Sequence, residues 1–252
     1  MPNHKVVSRD QWLAERKQLL IKEKELTRLR AQVADERMQL PWVKIDKEYI
    51  FEGPGSKVSL CDLFDGRHQL IVYHFMFQPD WDEGCKSCSL IADHYEPLIV
   101  HLQHRDTSMV TISRAPIEKL EKFRKRMGWR FKWFSSLDTD FNSDFDVYFP
   151  GDVREQKEVY YNYRTMPGFP STEGPGMSVF YKDDDGAIYH TYSCYARALE
   201  DFMSVYRLLD IVPKGRDEAG LVYGMEWVRH HDKYDDQSFK DIYVELLSSK
   251  KK

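Results

Sequence analysis

The chain reads as an α/β protein whose layer of strands is part parallel and part antiparallel, and three features carry that reading. Two apolar runs of strand length, QLIVYHFMF and TSMVTIS, are each followed by a helix-like segment. That alternation builds a parallel sheet under helical cover. The third feature, MSVFYKDDDGAIYHTY, sets Asp-Gly between two strand-like arms, the composition of a tight antiparallel hairpin.

At 252 residues, with 42% hydrophobic and 14% aromatic content, the chain is long enough for one large domain with appendages. A net charge of −4, with Lys and Arg spread along the sequence, gives no electrostatic case for a nucleic-acid partner. The opening MPNHKVVSRDQW lacks the apolar core of a secretory leader. No window is long and apolar enough to span a membrane. The expected setting is cytoplasmic, where thiols stay reduced.

Taken in order, SRDQWLAERKQLLIKEKELTRLRAQVADERM predicts one long amphipathic helix. Ser8 and Gln11 have capping-box spacing, and Trp12, Leu19, Leu26, Leu29 and Val33 fall near one stripe. The stripe is expected to lie on a globular body, with a homodimer contact through this helix as the alternative. VKIDKEYIFEGPGSKVSLCDLF then predicts two strand arms about a Gly-Pro-Gly turn. QLIVYHFMF predicts a central strand covered on both faces. The helix after it, SLIADHYEPLIVHLQH, should lose its regularity at Pro97. TSMVTIS predicts a second buried strand, and APIEKLEKFRKRMG a helix with Pro116 at its first position and Gly128 at its stop. FKWFSS predicts a third short strand. Residues 142–176 are irregular and rich in Tyr, Pro and Gly, as an inserted functional loop would be. After the hairpin, ARALEDFMSVYRLLDIV predicts a closing helix packed through Leu199, Phe202, Tyr206 and Leu209. The rest, from Pro213, is polar, and SSKKK is expected to be disordered.

Between the first apolar run and its helix stands GCKSCS, with Cys85 and Cys88 two residues apart in a chain of four cysteines. A thiol at a helix start faces unpaired N–H groups and the positive end of the helix dipole, which favours the thiolate. Lys86 beside it acts in the same direction. Cys85 is therefore the expected nucleophile and Cys88, one turn on, the resolving thiol. Zinc would need further ligands from His94, His101 or His104. A copper-binding chaperone using both thiolates and a histidine and a redox-inert interaction module are the competing functions. Cys61 is expected in a buried apolar slot, and Cys194 near a helix start is expected to be structural.

A strand, a CxxC opening a helix, a further β-α unit and Pro175 before the hairpin together resemble a thioredoxin-like domain over roughly residues 42–212. YIFEGPGSKVSLCDLFDGRHQLIVYHF resembles the opening hairpin of the peroxiredoxin-like branch. The runs GCKSCS, SRAP, MGWRFKWFSS, FNSDFDV, HTYSCYARALE and MEWVRHHDKY are similar to an uncharacterised thioredoxin-like family, known as a domain of unknown function.

The resemblance implies a three-layer fold with a mixed central sheet. It implies a cis proline, Pro175, facing the CxxC, and His74 in place of a buried central-strand acid as proton acceptor for Cys88, the alternative being a strand histidine that is simply hydrogen-bonded. PDWDEGC departs from the peroxidase pattern in spacing and lacks its hydroxyl, which argues against peroxidase action. Its three acids would oppose a Cys85 thiolate if they faced it.

Three further groups stand out. Tyr160, Tyr161 and Tyr163 belong either to a substrate lid or to a loop pinned by its aromatics. Arg114 falls at a strand end, where anions bind in α/β proteins. His230, His231 and Asp232 invite a metal reading, but adjacent side chains diverge, and packing of Trp227 and His231 is favoured.

The expected organisation is a helical arm over 1–41, the thioredoxin-like domain over 42–212 and an extension over 213–252. The expected activity is thiol–disulfide exchange with a protein or small-molecule disulfide, through Cys85, Cys88, Pro175 and His74. No organic cofactor is required, since no GxGxxG motif is present.

Overall fold

The structure is a computed structural model that describes residues 4–152, 155, 157–235 and 244. The terminal SSKKK lies outside the described residues. Helix α1 (Arg9–Met38) starts at Ser8 with the capping box in place. A short strand β1 (Val43–Lys44) leads to the hairpin β2 (Ile50–Gly53) and β3 (Ser56–Ser59). Strand β4 (Gln69–His74) feeds α2 (Lys86–Tyr95), which gives way to a 3-10 turn at Glu96–Leu98 before α3 (Ile99–Gln103). Pro97 thus ends the regular helix as its missing N–H requires.

Next come β5 (Thr107–Ser113), α4 (Ile117–Arg126), β6 (Trp133–Ser135) and α5 (Phe141–Asp144). Pro116 is the extended N-cap of α4, one position before its expected place. A side hairpin, β7 (Glu158–Tyr161) and β8 (Arg164–Pro167), occupies the insertion. The closing hairpin is β9 (Gly176–Lys182) and β10 (Ile188–Tyr195). The closing helix is not one continuous α-helix. It is 3-10 over Ala196–Phe202 and then α6 (Ser204–Leu209), which leaves Phe202 exposed while Leu199 and Tyr206 are buried.

The main sheet runs β1-β10-β9-β4-β5-β6-β2-β3. Pairs β4–β5 and β5–β6 are parallel; β4–β9, β9–β10 and β2–β6 are antiparallel. Strand β4 is central, as its unbroken apolar sequence requires, and all of β5 is buried. The β10-β9-β4-β5 unit, with α2 crossing over between β4 and β5, is the thioredoxin-like arrangement.

Side chains alternate across a strand, so β4 splits its residues between two cores. Leu70 and Val72 join Phe51, Phe141 and Phe180 on one face, covered by the 3-10 turn Asp62–Phe64 and by α5. Tyr73 joins Ile91, Leu120, Phe123 and Tyr206 on the face that carries α2, α4 and α6. Three layers result, with the longer of these helices all on one side.

Two expectations fail on packing. Helix α1 buries none of its residues: Leu19, Leu26 and Leu29 are each about half exposed. Its charged flanks leave only a narrow apolar stripe, and Arg37 over the Tyr192 ring at 5.3 Å is its cation–π contact with the body. Cys61 is exposed rather than buried, because the adjoining 3-10 turn directs Leu63 and Phe64 inward instead. Among the described residues no helix is long and apolar enough to cross a membrane.

Replacing Leu19, Leu26 and Leu29 together with Gln is expected to change the free energy of unfolding by no more than about 1.5 kcal/mol, about 0.5 kcal/mol for each exposed site. Urea denaturation of the variant beside the wild type measures it, and a larger loss would mean that the stripe is covered.

Candidate active site

The chain must travel from the buried end of β4 to the buried start of α2. The loop between them is held at several points. Cys85 N–H donates to the Met76 carbonyl at 3.0 Å, closing the loop at its neck. Gly84 is required there, since a Cβ would lie 2.6 Å from the Phe75 ring. Lys119 Nζ donates to the carbonyls of Pro79 and Trp81 at 2.8 and 3.0 Å.

No acidic residue of this loop is among the main groups that shift the Cys85 pKa. Glu83 is drawn outward by Lys233 at 2.7 Å and by Arg126, and these charges hold its carboxyl below the usual range against the opposing effect of burial.

Cys85 is the N-cap of α2. Its sulfur takes the place of the usual capping oxygen and accepts from the Cys88 N–H at 3.5 Å. All four cysteines are free thiols. Cys85 is 8% exposed and Cys88 1%, so Cys85 is the more accessible of the two. The Cys88 thiol, the backbone N–H groups of Cys88 and Ser87, and the Lys86 charge lower the Cys85 pKa, while burial works against them. Burial, followed by the neighbouring Cys85, pushes the Cys88 thiol well up. Cys194 is raised to about 11 by burial, in keeping with a structural role. The Lys86 side chain is buried and donates to the Glu226 carbonyl at 2.9 Å.

His74 is not a partner of Cys88. It sits on the opposite face of β4, against Phe141 and Phe145, and bonds through Nε2 to Ser178 Oγ at 2.8 Å. Burial lowers its pKa to about 3, so it is neutral near pH 7. Strand parity explains the failure: Tyr73, one residue earlier, faces the CxxC and donates its hydroxyl to the Cys88 carbonyl at 3.4 Å.

Pro175 does reach the site and lines the same cavity as Cys85 and Cys88. Its peptide is trans, and there is no cis peptide bond among the described residues. Tyr161 holds the segment instead, donating to the Pro175 carbonyl at 2.6 Å and accepting from the Ala196 N–H at 3.0 Å. Tyr161 is thus a buried brace, while Tyr160 and Tyr163 are exposed. The side hairpin supports the site from below, and Phe169 and Pro170 from the insertion form part of the cavity wall.

Two features escaped the sequence. Glu173 is 2% exposed, and burial pushes its carboxyl up to about 8 despite the guanidinium of Arg114. Arg114 lies 3.5 Å from it and stacks 3.6 Å over the Tyr148 ring. Its cation is therefore committed inside the fold. Glu173 and Cys85 each disfavour the other's negative charge, so a protonated Glu173 spares the thiolate. A lone Glu in a Pro- and Gly-rich stretch carries no sequence mark of burial.

The second feature is the chain after α6, which runs back over the site. His230 is the buried histidine of its pair, donating through Nε2 to the Gly84 carbonyl at 2.8 Å. His231 is exposed and reaches Asp93, and Asp232 pairs with Arg126. His230 and Asp232 thus share Arg126 as a partner, at 3.3 and 2.8 Å, while His231 points elsewhere. His94 bonds to the Leu90 carbonyl and accepts from the Val205 N–H. No cluster of three or more His, Cys, Asp or Glu suited to a metal occurs among the described residues.

Residues 1–234 match a family described as bacterial protein of unknown function, DUF899. The chain belongs to this family. No curated protein matches it. Among solved structures, this DUF899 chain is similar to the peroxidoxin BcpB from Mycobacterium tuberculosis, at 15% identity and a TM-score of 0.43 over 67% of this chain and 97% of that one. Peroxiredoxin Q from Xanthomonas campestris gives 14% identity and a TM-score of 0.42, over 68% and 95% of the two chains. The mitochondrial 2-cys peroxiredoxin from Plasmodium falciparum gives 10% and 0.38, over 66% and 92%.

Two outcomes test this electrostatic picture. Cys88→Ala removes the donor that most lowers the Cys85 pKa, so the midpoint of Cys85 alkylation, followed by mass spectrometry against pH, is expected to rise. For Glu173 the folded pKa of about 8 stands above the ordinary 4.5. The native state then holds a proton that the unfolded state releases, and stability falls as pH rises from about 4.5 to 8, by up to about 1.4 kcal/mol per pH unit. Glu173→Gln is expected to flatten that decline in urea denaturation at stepped pH.

Proposed function

We propose that this protein is a thiol–disulfide oxidoreductase in which Cys85 attacks and Cys88 resolves. The observation that carries the reading is the sulfur cap. Cys85 accepts from the first turn of α2 and fronts a cavity, while Cys88 lies one turn behind it, buried and protonated.

The thiolate of Cys85 attacks one sulfur of a substrate RS–SR′. The S–S bond breaks, a Cys85–S–S–R bond forms, and R′S⁻ departs. Cys88 gives up its proton to that leaving thiolate and attacks the Cys85 sulfur, expelling RS⁻, which takes from solvent the proton that Cys85 released on ionising. Two electrons pass from the dithiol to the substrate, leaving two thiols and a Cys85–Cys88 disulfide. A thiol or dithiol reductant then restores the pair.

The unequal burial and opposite pKa directions of the two thiols suit this order, since only the thiolate attacks. Protonated Glu173 adds no negative charge against the thiolate near pH 7. The interval from Pro79 to Cys85 departs from the peroxidase pattern, so exchange with a disulfide is the better reading of the CxxC pair.

Cys85→Ser is expected to abolish disulfide reduction. Cys88→Ser is expected to accumulate the mixed disulfide on Cys85, seen as an added mass that dithiothreitol removes. Unchanged reduction by Cys85→Ser would refute the assignment.

A further inference from the structure

Beside the two thiols the fold forms an open-mouthed cavity of about 510 Å³. That lies within the range of roughly 300–1,000 Å³ in which proteins enclose small ligands. Its floor is Met76, Cys85, Cys88 and Ile91. One side comes from Phe169, Pro170 and Pro175, another from Leu199, Met203 and Tyr206, and a third from Tyr223, Gly224 and Met225. This third wall belongs to the segment after α6, which returns across the site and is fastened at several points.

The fastenings are specific. Lys86 Nζ holds the Glu226 carbonyl, His230 holds Gly84, Arg126 pairs with Asp232, and Lys233 pairs with Glu83 at 2.7 Å. Each of these contacts ties the segment to the loop or to the helices flanking Cys85. The strap is therefore part of the built site.

The wall is mostly aliphatic, thioether and aromatic. Among its described lining residues the cation is Arg197, whose side chain is 85% exposed and paired with Glu200 at 3.1 Å. Glu200 is paired again with Arg216 at 2.9 Å. Glu218 lines the cavity as well, so its charged lining groups are acidic on balance. A substrate carboxylate drawn down to Cys85 would lose its water without gaining an inner partner, which is costly. A disulfide within a folded protein meets a different obstacle. Its two Cα atoms lie about 4.4–6.8 Å apart, so the flanking backbone must follow the sulfur to a thiol that is only 8% exposed beneath the strap.

Resting on the exchange reading above, we infer that the substrate is a small, uncharged, mainly apolar disulfide that enters the strapped cavity, and that the strap excludes protein disulfides. Cys85 attacks either sulfur of such a molecule, the apolar arms rest on Met203 and Met225, and the products leave as two small thiols with the protein pair oxidised.

The test is single-turnover oxidation of the reduced full-length protein by dibutyl disulfide, cystine and insulin, with the Cys85–Cys88 bond followed by acid quench and alkylation. Each rate is divided by the rate of the same disulfide with dithiothreitol, which removes its intrinsic reactivity. Dibutyl disulfide is expected to exceed the other two by about tenfold or more, the scale on which apolar pockets discriminate. The double variant Asp232→Ala, Lys233→Ala, which unfastens the strap, is expected to accelerate insulin selectively.

Similar normalised rates for all three disulfides leave exchange standing and overturn the substrate class. A dibutyl preference with no gain for insulin in the double variant overturns the role given to the strap. Failure of every disulfide to oxidise the pair overturns the exchange reading itself.

Discussion

The sulfur of Cys85 accepting the Cys88 N–H is the contact around which the site is arranged. The first turn of any helix presents N–H groups that lack partners, and here that turn is buried between sheet, helix α4 and strap, where water does not reach it freely. A sulfur placed there is drawn toward its anionic form because the donors need an acceptor. Burial opposes both thiolates, and at Cys88 it outweighs the Met76 N–H and the Tyr73 hydroxyl that favour the anion. One local geometry thereby separates two chemically identical side chains, one toward thiolate and one toward thiol.

Surrounding packing serves to keep that geometry. Gly84 lets the loop lie on the Phe75 ring, and Lys119 gathers its carbonyls. Glu83 is neutralised on the outside by Arg126 and Lys233. Tyr161 joins the Pro175 carbonyl to the Ala196 N–H, which fixes the cavity wall opposite α2. Ala196 itself is held at φ +51°, a conformation unfavourable for a residue with a Cβ. The chain turns there from β10 into the 3-10 segment that carries Leu199 toward the thiols.

Much of this was legible in the sequence where the signal is local. Apolar runs marked β4 and β5, Asp-Gly marked the β9–β10 turn, and Ser8 with Gln11 marked the start of α1. The placement of Cys85 at a helix start was equally readable. The misreadings arise where tertiary contact decides. His74 and Tyr73 differ by one residue, and only the register of β4 shows which of them faces the thiols. Cys61 looked buried because its neighbours are apolar, yet the 3-10 turn sends those neighbours inward and leaves it outside. The burial of Glu173 and the return of the polar C-terminal segment depend on partners far away in the chain. The Leu stripe of α1 met the periodicity of a packed helix, yet the rest of the chain does not cover it.

The strap has a consequence for the order in which the molecule is completed during synthesis. Lys233 meets Glu83 across 150 residues of chain, and chains elongate at about 5–20 residues per second. The thiols therefore leave the ribosome roughly 8–30 s before their roof has been made. Throughout that interval the pair stands open on one side to any oxidant in the surroundings. The wall formed by Tyr223, Gly224 and Met225 is thus the last part of the cavity to be made.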